Sequence, residues 1–147
     1  MMMMSRVLLA FFAFFSSLWL ALGSPIPQSE VELNKRTTHS GRGTWYHAGH
    51  GNCGGWNTDS DLVVAMSKGF YDQNGGSNCD QYVKITSNGK TAYGLMVDSC
   101  PGCGEGDLVL LLSLSIDMSP SMFEKFASLD TGVISIKWSF KPKGWKP

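Results

Sequence analysis

Asn88-Gly89 stands between two alternating runs, Gln81-Tyr82-Val83-Lys84-Ile85-Thr86 before it and Thr91-Ala92-Tyr93-Gly94-Leu95-Met96-Val97 after it. A two-residue connection needs left-handed backbone at both positions, which Asn and Gly tolerate and most residues do not. The two runs are therefore expected to pair antiparallel. Val133 to Phe140 alternates as well, with Ile134, Ile136, Trp138 and Phe140 on one side and Ser135, Lys137 and Ser139 on the other, the pattern of a strand covering a core. Thr44-Trp45-Tyr46-His47-Ala48 reads as a first strand, followed by a glycine-rich loop from Gly49 to Gly55. Asp61 to Ser67 is apolar but too short for its period to separate a buried strand from a helical turn. Ser119-Pro120 is a helix start that puts Met122, Phe123 and Phe126 on one face and ends by Asp130 to Gly132. Short strands, frequent turns and one or two short helices imply an all-β fold, a small closed or nearly closed barrel.

The N-terminus does not belong to that domain. Arg6 precedes an apolar run from Val7 to Leu22, shorter than the roughly 20 apolar residues of a membrane span, and Ala21-Leu22-Gly23 supplies small residues for cleavage. Residues 1–23 are expected to be a secretory signal peptide. Residues 24–36 are polar, contain Pro25 and Pro27, and end in Lys35-Arg36. They read as a pro-segment cut at the dibasic pair, with Thr37 the mature N-terminus. The remaining 111 residues suffice for one domain, expected over 37–140, with 141–147 a flexible tail. That part carries nine Lys and Arg against ten Asp and Glu, a net charge of −1, so nothing favours nucleic acid. The expected partner is neutral, and the product is expected to be extracellular and monomeric, with no membrane attachment after cleavage.

Cys53, Cys79, Cys100 and Cys103 all lie beyond the dibasic site, and an even count in an exported chain argues for two disulfides. Four cysteines allow three pairings. The short Cys100-Pro101-Gly102-Cys103 loop favours a local bridge, which leaves Cys53 with Cys79. A single C-x-x-C without a second close ligand pair argues against zinc, and no glycine-rich dinucleotide fingerprint supports a flavin. No metal or cofactor is expected. His39, His47 and His50 read as surface residues.

Two aspartates bracket the cysteine turn: Asp98, in Asp98-Ser99-Cys100-Pro101-Gly102-Cys103, and Asp117, in Ile116-Asp117-Met118-Ser119-Pro120. Two carboxylates brought into one groove are the minimal equipment for acid-base work on, or hydrogen bonding to, a sugar polymer. Tryptophan adds a stacking face. Trp56, after Cys53-Gly54-Gly55, is expected on a loop, whereas Trp45 and Trp138 are expected in the core.

Gly43-Thr44-Trp45-Tyr46, Val97-Asp98-Ser99-Cys100-Pro101-Gly102-Cys103-Gly104 and Asp117-Met118-Ser119-Pro120, in that order and followed by Phe123 and a closing strand, resemble the double-psi β-barrel of the expansin and rare-lipoprotein-A-like (barwin-like) families. The resemblance spans about residues 43 to 140 and is nearest to fungal single-domain expansin-like proteins of the loosenin type. It implies a six-stranded double-psi barrel and a shallow groove for cellulose, chitin or a related cell-wall glucan, lined by Thr44, Tyr46, Asp98, Asp117 and Trp56. Asp117 matches the aspartate that expansins share with the proton donor of similar family-45 endoglucanases. In those enzymes the first strand reads Thr-x-Tyr-x-Asp and ends in the general base, but here that position is Ala48. An inverting hydrolase needs a base to activate water, so the resemblance implies non-hydrolytic wall loosening.

Alternatives on the same barrel are a weak glycoside hydrolase or lytic transglycosylase, an oxidase as in the related sequences labelled riboflavin-aldehyde-forming-enzyme-like, and a protein-binding inhibitor or effector. The family runs almost directly from Asp107 to Asp117. Here Leu108 to Ile116 intervenes as an apolar run, which reads as an extended strand, an interaction patch or a gene-model error.

Overall fold

A computed structural model describes residues 37–103 and 114–147. The expected signal peptide, the pro-segment and most of the apolar run between Asp107 and Asp117 lie outside the described residues. Six strands close a mixed barrel: β1 (His39–Trp45), β2 (Val63–Ser67), β3 (Tyr82–Ser87), β4 (Lys90–Cys100), β5 (Ile116–Met118) and β6 (Ile134–Phe140). Around the barrel they run β1-β5-β2-β4-β3-β6. The β1–β5 and β2–β4 pairs are parallel; β1–β6, β2–β5, β3–β4 and β3–β6 are antiparallel. Among the described strands closure leaves no unpaired edge, which a sheet this small could not otherwise protect.

The β3–β4 hairpin turns at Asn88-Gly89, both with positive φ (50° and 75°). In β6, Ile134, Ile136, Trp138 and Phe140 face the core beside Val64, Met66, Val83, Ile85, Met96, Ile116 and Met118. Two short helices, α1 (Lys68–Gln73) and α2 (Pro120–Phe123), bring Phe70, Met122 and Phe123 onto that core, and Phe126 follows. Val63–Ser67 is a strand buried at every residue because it lies between β4 and β5, so it shows no alternation. Disulfides join Cys53 to Cys79 and Cys100 to Cys103.

Several elements differ from the sequence reading. The first strand is His39–Trp45, not Thr44–Ala48. Glycine weakens a strand by propensity, yet a Cβ at Gly43 would collide with Met118, Ile136 and Ile134 side chains, so this position is glycine for close packing. Beyond Trp45 only the Tyr46 N–H continues the ladder, to Met118 O at 2.9 Å. Ser119 does not cap α2; its hydroxyl donates to Asp61 O and accepts from Val63 N–H, tying the α2 start to β2. Helix geometry ends at Phe123, and a 3-10 turn at Leu129–Thr131 precedes β6. His39 is half-buried, its ring 4.3 Å from that of Trp138 and edge-on to Phe70, and burial lowers its pKa. Trp45 is half-buried and donates its indole N–H to Leu129 O. In the tail, Trp145 packs on Tyr93 and Tyr82 with Lys141 Nζ 4.5 Å over its ring.

Candidate functional site

Strand register assembles one transverse row on the barrel. Thr44 of β1 opposes Asp117 of β5, Asp117 opposes Ala65 of β2, and Ala65 opposes Asp98 of β4. The flanking Gly43, Ile116, Met118, Val64, Met66 and Met96 are buried in the barrel, so alternation turns the row to the outer face. A register shift between Val64 and Ala65 makes this possible: Met96 opposes Val64, Asp98 opposes Ala65, and Val97 is the extra residue. A bulge of this kind re-aims side chains. Without it the apolar Val97 would stand where Asp98 stands. Ala65, with its single methyl, separates the two aspartates.

Thr44 Oγ1 donates to Asp117 Oδ1 at 2.8 Å. Asp117 Oδ2 faces the disulfide, 3.8 Å from Cys100 Sγ. Burial raises the Asp117 pKa, and the hydrogen bonds from Thr44 and from Met118 N–H oppose the rise. Asp117 therefore keeps its proton to a higher pH than an ordinary aspartate. Asp98 Oδ1 accepts from its neighbour Ser99 N–H at 2.7 Å and from Asn52 N–H at 2.9 Å, while Oδ2 has no protein partner among the described residues. The Tyr46 phenol is pushed up, by burial first and then by the Asp98 and Asp117 carboxylates. It lies within electrostatic reach of both.

Trp56 is 77% exposed. Its loop is held by Gly51 N–H to Gly55 O, by Asn57 N–H to Gly49 O and by the Cys53–Cys79 disulfide. Asn52 N–H to Asp98 and Cys53 N–H to Val97 O attach that loop to the Asp98 end of the row. Thr44, Tyr46, Asp98 and Asp117 are thus gathered in one place, with the Trp56 loop anchored beside them. Ala48 puts no carboxylate on its strand, but its N–H donates to Asp59 Oδ1 at 2.8 Å while His47 Nδ1 lies 2.6 Å from Asp59 Oδ2. These hydrogen bonds hold the Asp59 pKa below the ordinary value. Sequence reading missed Asn52 and Asp59. The polar run Asn57-Thr58-Asp59-Ser60-Asp61 was a signal only for a turn, which Asp61 does cap through Thr58.

Among the described residues, Cys100, Cys103 and Asp117 have potential ligand atoms within 4.8 Å of one another. With the sulfurs bonded to each other the set offers a cation only a carboxylate. Two carboxylates, two hydroxyls and an exposed indole suit a ligand with many hydroxyls and apolar C–H faces.

No family model matches the chain, and no curated protein matches it. Among solved structures, the chain is similar to the Clavibacter michiganensis expansin. A mutant of that protein in complex with cellohexaose aligns at 23% identity and a TM-score of 0.62, covering 76% of this chain and 54% of the expansin. The apo expansin aligns at 24% identity and a TM-score of 0.60 over the same shares. This chain thus spans about half the length of that expansin. It is also similar to a Streptomyces papain inhibitor, at 29% identity and a TM-score of 0.59, over 72% of this chain and 96% of the inhibitor. The likeness supports the double-psi barrel.

Proposed function

We propose that this chain is a secreted, non-hydrolytic protein that binds and loosens a cell-wall polysaccharide such as cellulose, chitin or a related glucan. The observation that carries the reading is the outward row Thr44–Asp117–Ala65–Asp98 with Tyr46 beside it. An expansin of the same fold was crystallised with cellohexaose. A hydrogen bond nets about 0.5–1.5 kcal/mol between neutral groups and about 1.5–3 kcal/mol to a charged one, and association itself costs at least about 4 kcal/mol, so four such groups leave a few kcal/mol at most. Since about 4 kcal/mol corresponds to a Kd near 1 mM, contact with each chain segment is weak and reversible. That suits a protein whose hydroxyls and carboxylates compete with glucan–glucan hydrogen bonds and let chains slip, with no covalent step.

Hydrolysis is disfavoured by the surroundings of Ala48. Asp59 is held there by His47 and the Ala48 N–H, with each oxygen hydrogen-bonded and its basicity lowered. A carboxylate so engaged is a poor activator of water. The two disulfides suit an oxidising compartment. N-terminal sequencing of the exported product should begin at Thr37.

The test is pull-down on insoluble cellulose and chitin, with fibre strength and reducing sugar measured on the same samples. Binding and weakening without sugar release are expected, and Asp117→Ala should abolish both. Sugar release that depends on Asp117 would replace this reading with a hydrolytic one. A second reading, a protease inhibitor, is favoured by the match over nearly the whole papain inhibitor. Inhibition of papain that survives Asp117→Ala, with no polysaccharide binding, would establish it.

A further inference from the structure

We propose that opening the Cys100–Cys103 disulfide creates a zinc site made of both thiolates and the Asp117 carboxylate. The sulfur-to-oxygen spacing is already present. In tetrahedral zinc, with Zn–S of about 2.3 Å and Zn–O of about 2.1 Å, a sulfur and an oxygen ligand stand about 3.6 Å apart. Asp117 Oδ2 lies 3.8 Å from Cys100 Sγ, and all three ligand atoms fall within 4.8 Å of one another. Only the two sulfurs must separate, and Cys-x-x-Cys is a spacing that zinc sites use. Thr44 supplies the outer support that orients a metal-bound carboxylate: its hydroxyl holds Oδ1 at 2.8 Å and leaves Oδ2 aimed at the sulfurs. Both cysteines and Asp117 are partly buried rather than sealed, so some of their surface remains open to solvent, which can fill a fourth position.

The chemistry balances with a dithiol as reductant. It gives two electrons and two protons to the Cys100 and Cys103 sulfurs and becomes a disulfide itself. Zn2+ then displaces the two thiol protons to solvent. Metal binding would take Asp117 Oδ2 out of the polar row, so zinc and polysaccharide would compete; that consequence, unlike the site itself, rests on the proposed function.

The experiment compares the folded full chain before and after a phosphine reductant. Zinc is titrated against a chromophoric chelator, Co2+ serves as the spectroscopic probe, and circular dichroism follows the barrel. The expected result is one ion per reduced chain with a thiolate-to-cobalt absorption band, and none for the oxidised protein. Asp117→Asn should weaken binding about 10-fold or more. The Cys100→Ser/Cys103→Ser variant should bind none, although reduction still opens its Cys53–Cys79 bridge. Unchanged affinity in Asp117→Asn, equal binding by the double serine variant, no binding by the reduced protein, or loss of the barrel on reduction would each overturn the proposal.

Discussion

Thr44 and Asp117 are 73 positions apart in the chain, yet they are direct partners across the parallel β1–β5 pairing, and the threonine hydroxyl donates to the aspartate Oδ1 at 2.8 Å. This bond opposes burial in setting the Asp117 pKa. It also fixes which oxygen remains for other contacts.

Thr44→Val keeps the shape and removes the donor. Without that hydrogen bond, burial acts with less opposition, so the Asp117 pKa should rise further. The oxygen left without a donor should cost about 1 kcal/mol, the low end for such a group, because the site is partly open to water. Carboxylate NMR titration and urea unfolding measure the two effects. An unchanged Asp117 titration would show that the bond does not form in solution.

In the oxidised protein, Asp117→Asn should raise Tm at neutral pH while weakening polysaccharide binding. The sign follows from the direction of the shift. A carboxyl whose pKa is raised on folding binds more protons folded than unfolded, between the ordinary value of 3.8 and its raised value. Stability therefore falls as pH rises through that window, and the ionised group opposes folding above it. The advantage of the asparagine variant should shrink as pH falls through that window and be gone below 3.8. Thermal melts of both proteins across that range would refute the account if the gap widened on acidification.

Trp56→Ala should leave stability within the small range typical of surface substitutions, about 0.5 kcal/mol either way, because the ring is 77% exposed. Binding to insoluble glucan should weaken, since the substitution removes a stacking face from the loop tied to Asp98. Equal binding by variant and parent would remove Trp56 from the site.

The parts of the fold legible in sequence were those with local signals. The β3–β4 hairpin rests on Asn88-Gly89 and β6 on strict alternation. The start of β1 was hidden because its glycines answer to distant atoms: a Cβ at Gly41 would meet Leu114 O, and one at Gly43 the barrel interior. His39 looked like a surface residue because nothing nearby announces the Trp138 ring it stacks on. The aspartates were found through motif resemblance, but their common row depends on the bulge at Val97 and on Ala65, which no local pattern reveals. Asn52 escaped because its backbone contact to Asp98 crosses 46 positions.

Gly51 offers a test of how the Trp56 loop is held. A Cβ there would run into Val97 O and lie 3.3 Å from Asp98 Cβ, and the backbone carbonyl cannot move aside cheaply because it also accepts from Cys53 N–H. Gly51→Ala should destabilise by about 1–3 kcal/mol, the usual range for overpacking. It should also weaken polysaccharide binding by lifting Asn52 from Asp98. Chemical denaturation and pull-down on the same variant check the pairing of effects; a stable variant with full binding would show that the loop does not press on the bulge.

The two disulfides should separate stability from site geometry. In the chain-entropy picture the bridge of Cys53 and Cys79, 26 positions apart, is worth about 3.5 kcal/mol, whereas that of Cys100 and Cys103, only three apart, is worth about 2 kcal/mol. Replacing the first pair with alanine should therefore lower the urea midpoint more. Replacing the second should cost less stability but remove the sulfur wall 3.8 Å from Asp117 Oδ2. Greater water access should then move the Asp117 pKa back towards its ordinary value, since burial is the larger cause of its rise. Unfolding curves and carboxylate titration on both alanine pairs test the two halves together. A larger stability loss from the Cys100–Cys103 pair, or an Asp117 pKa indifferent to it, would mean that the short bridge holds the barrel rather than shelters the acid.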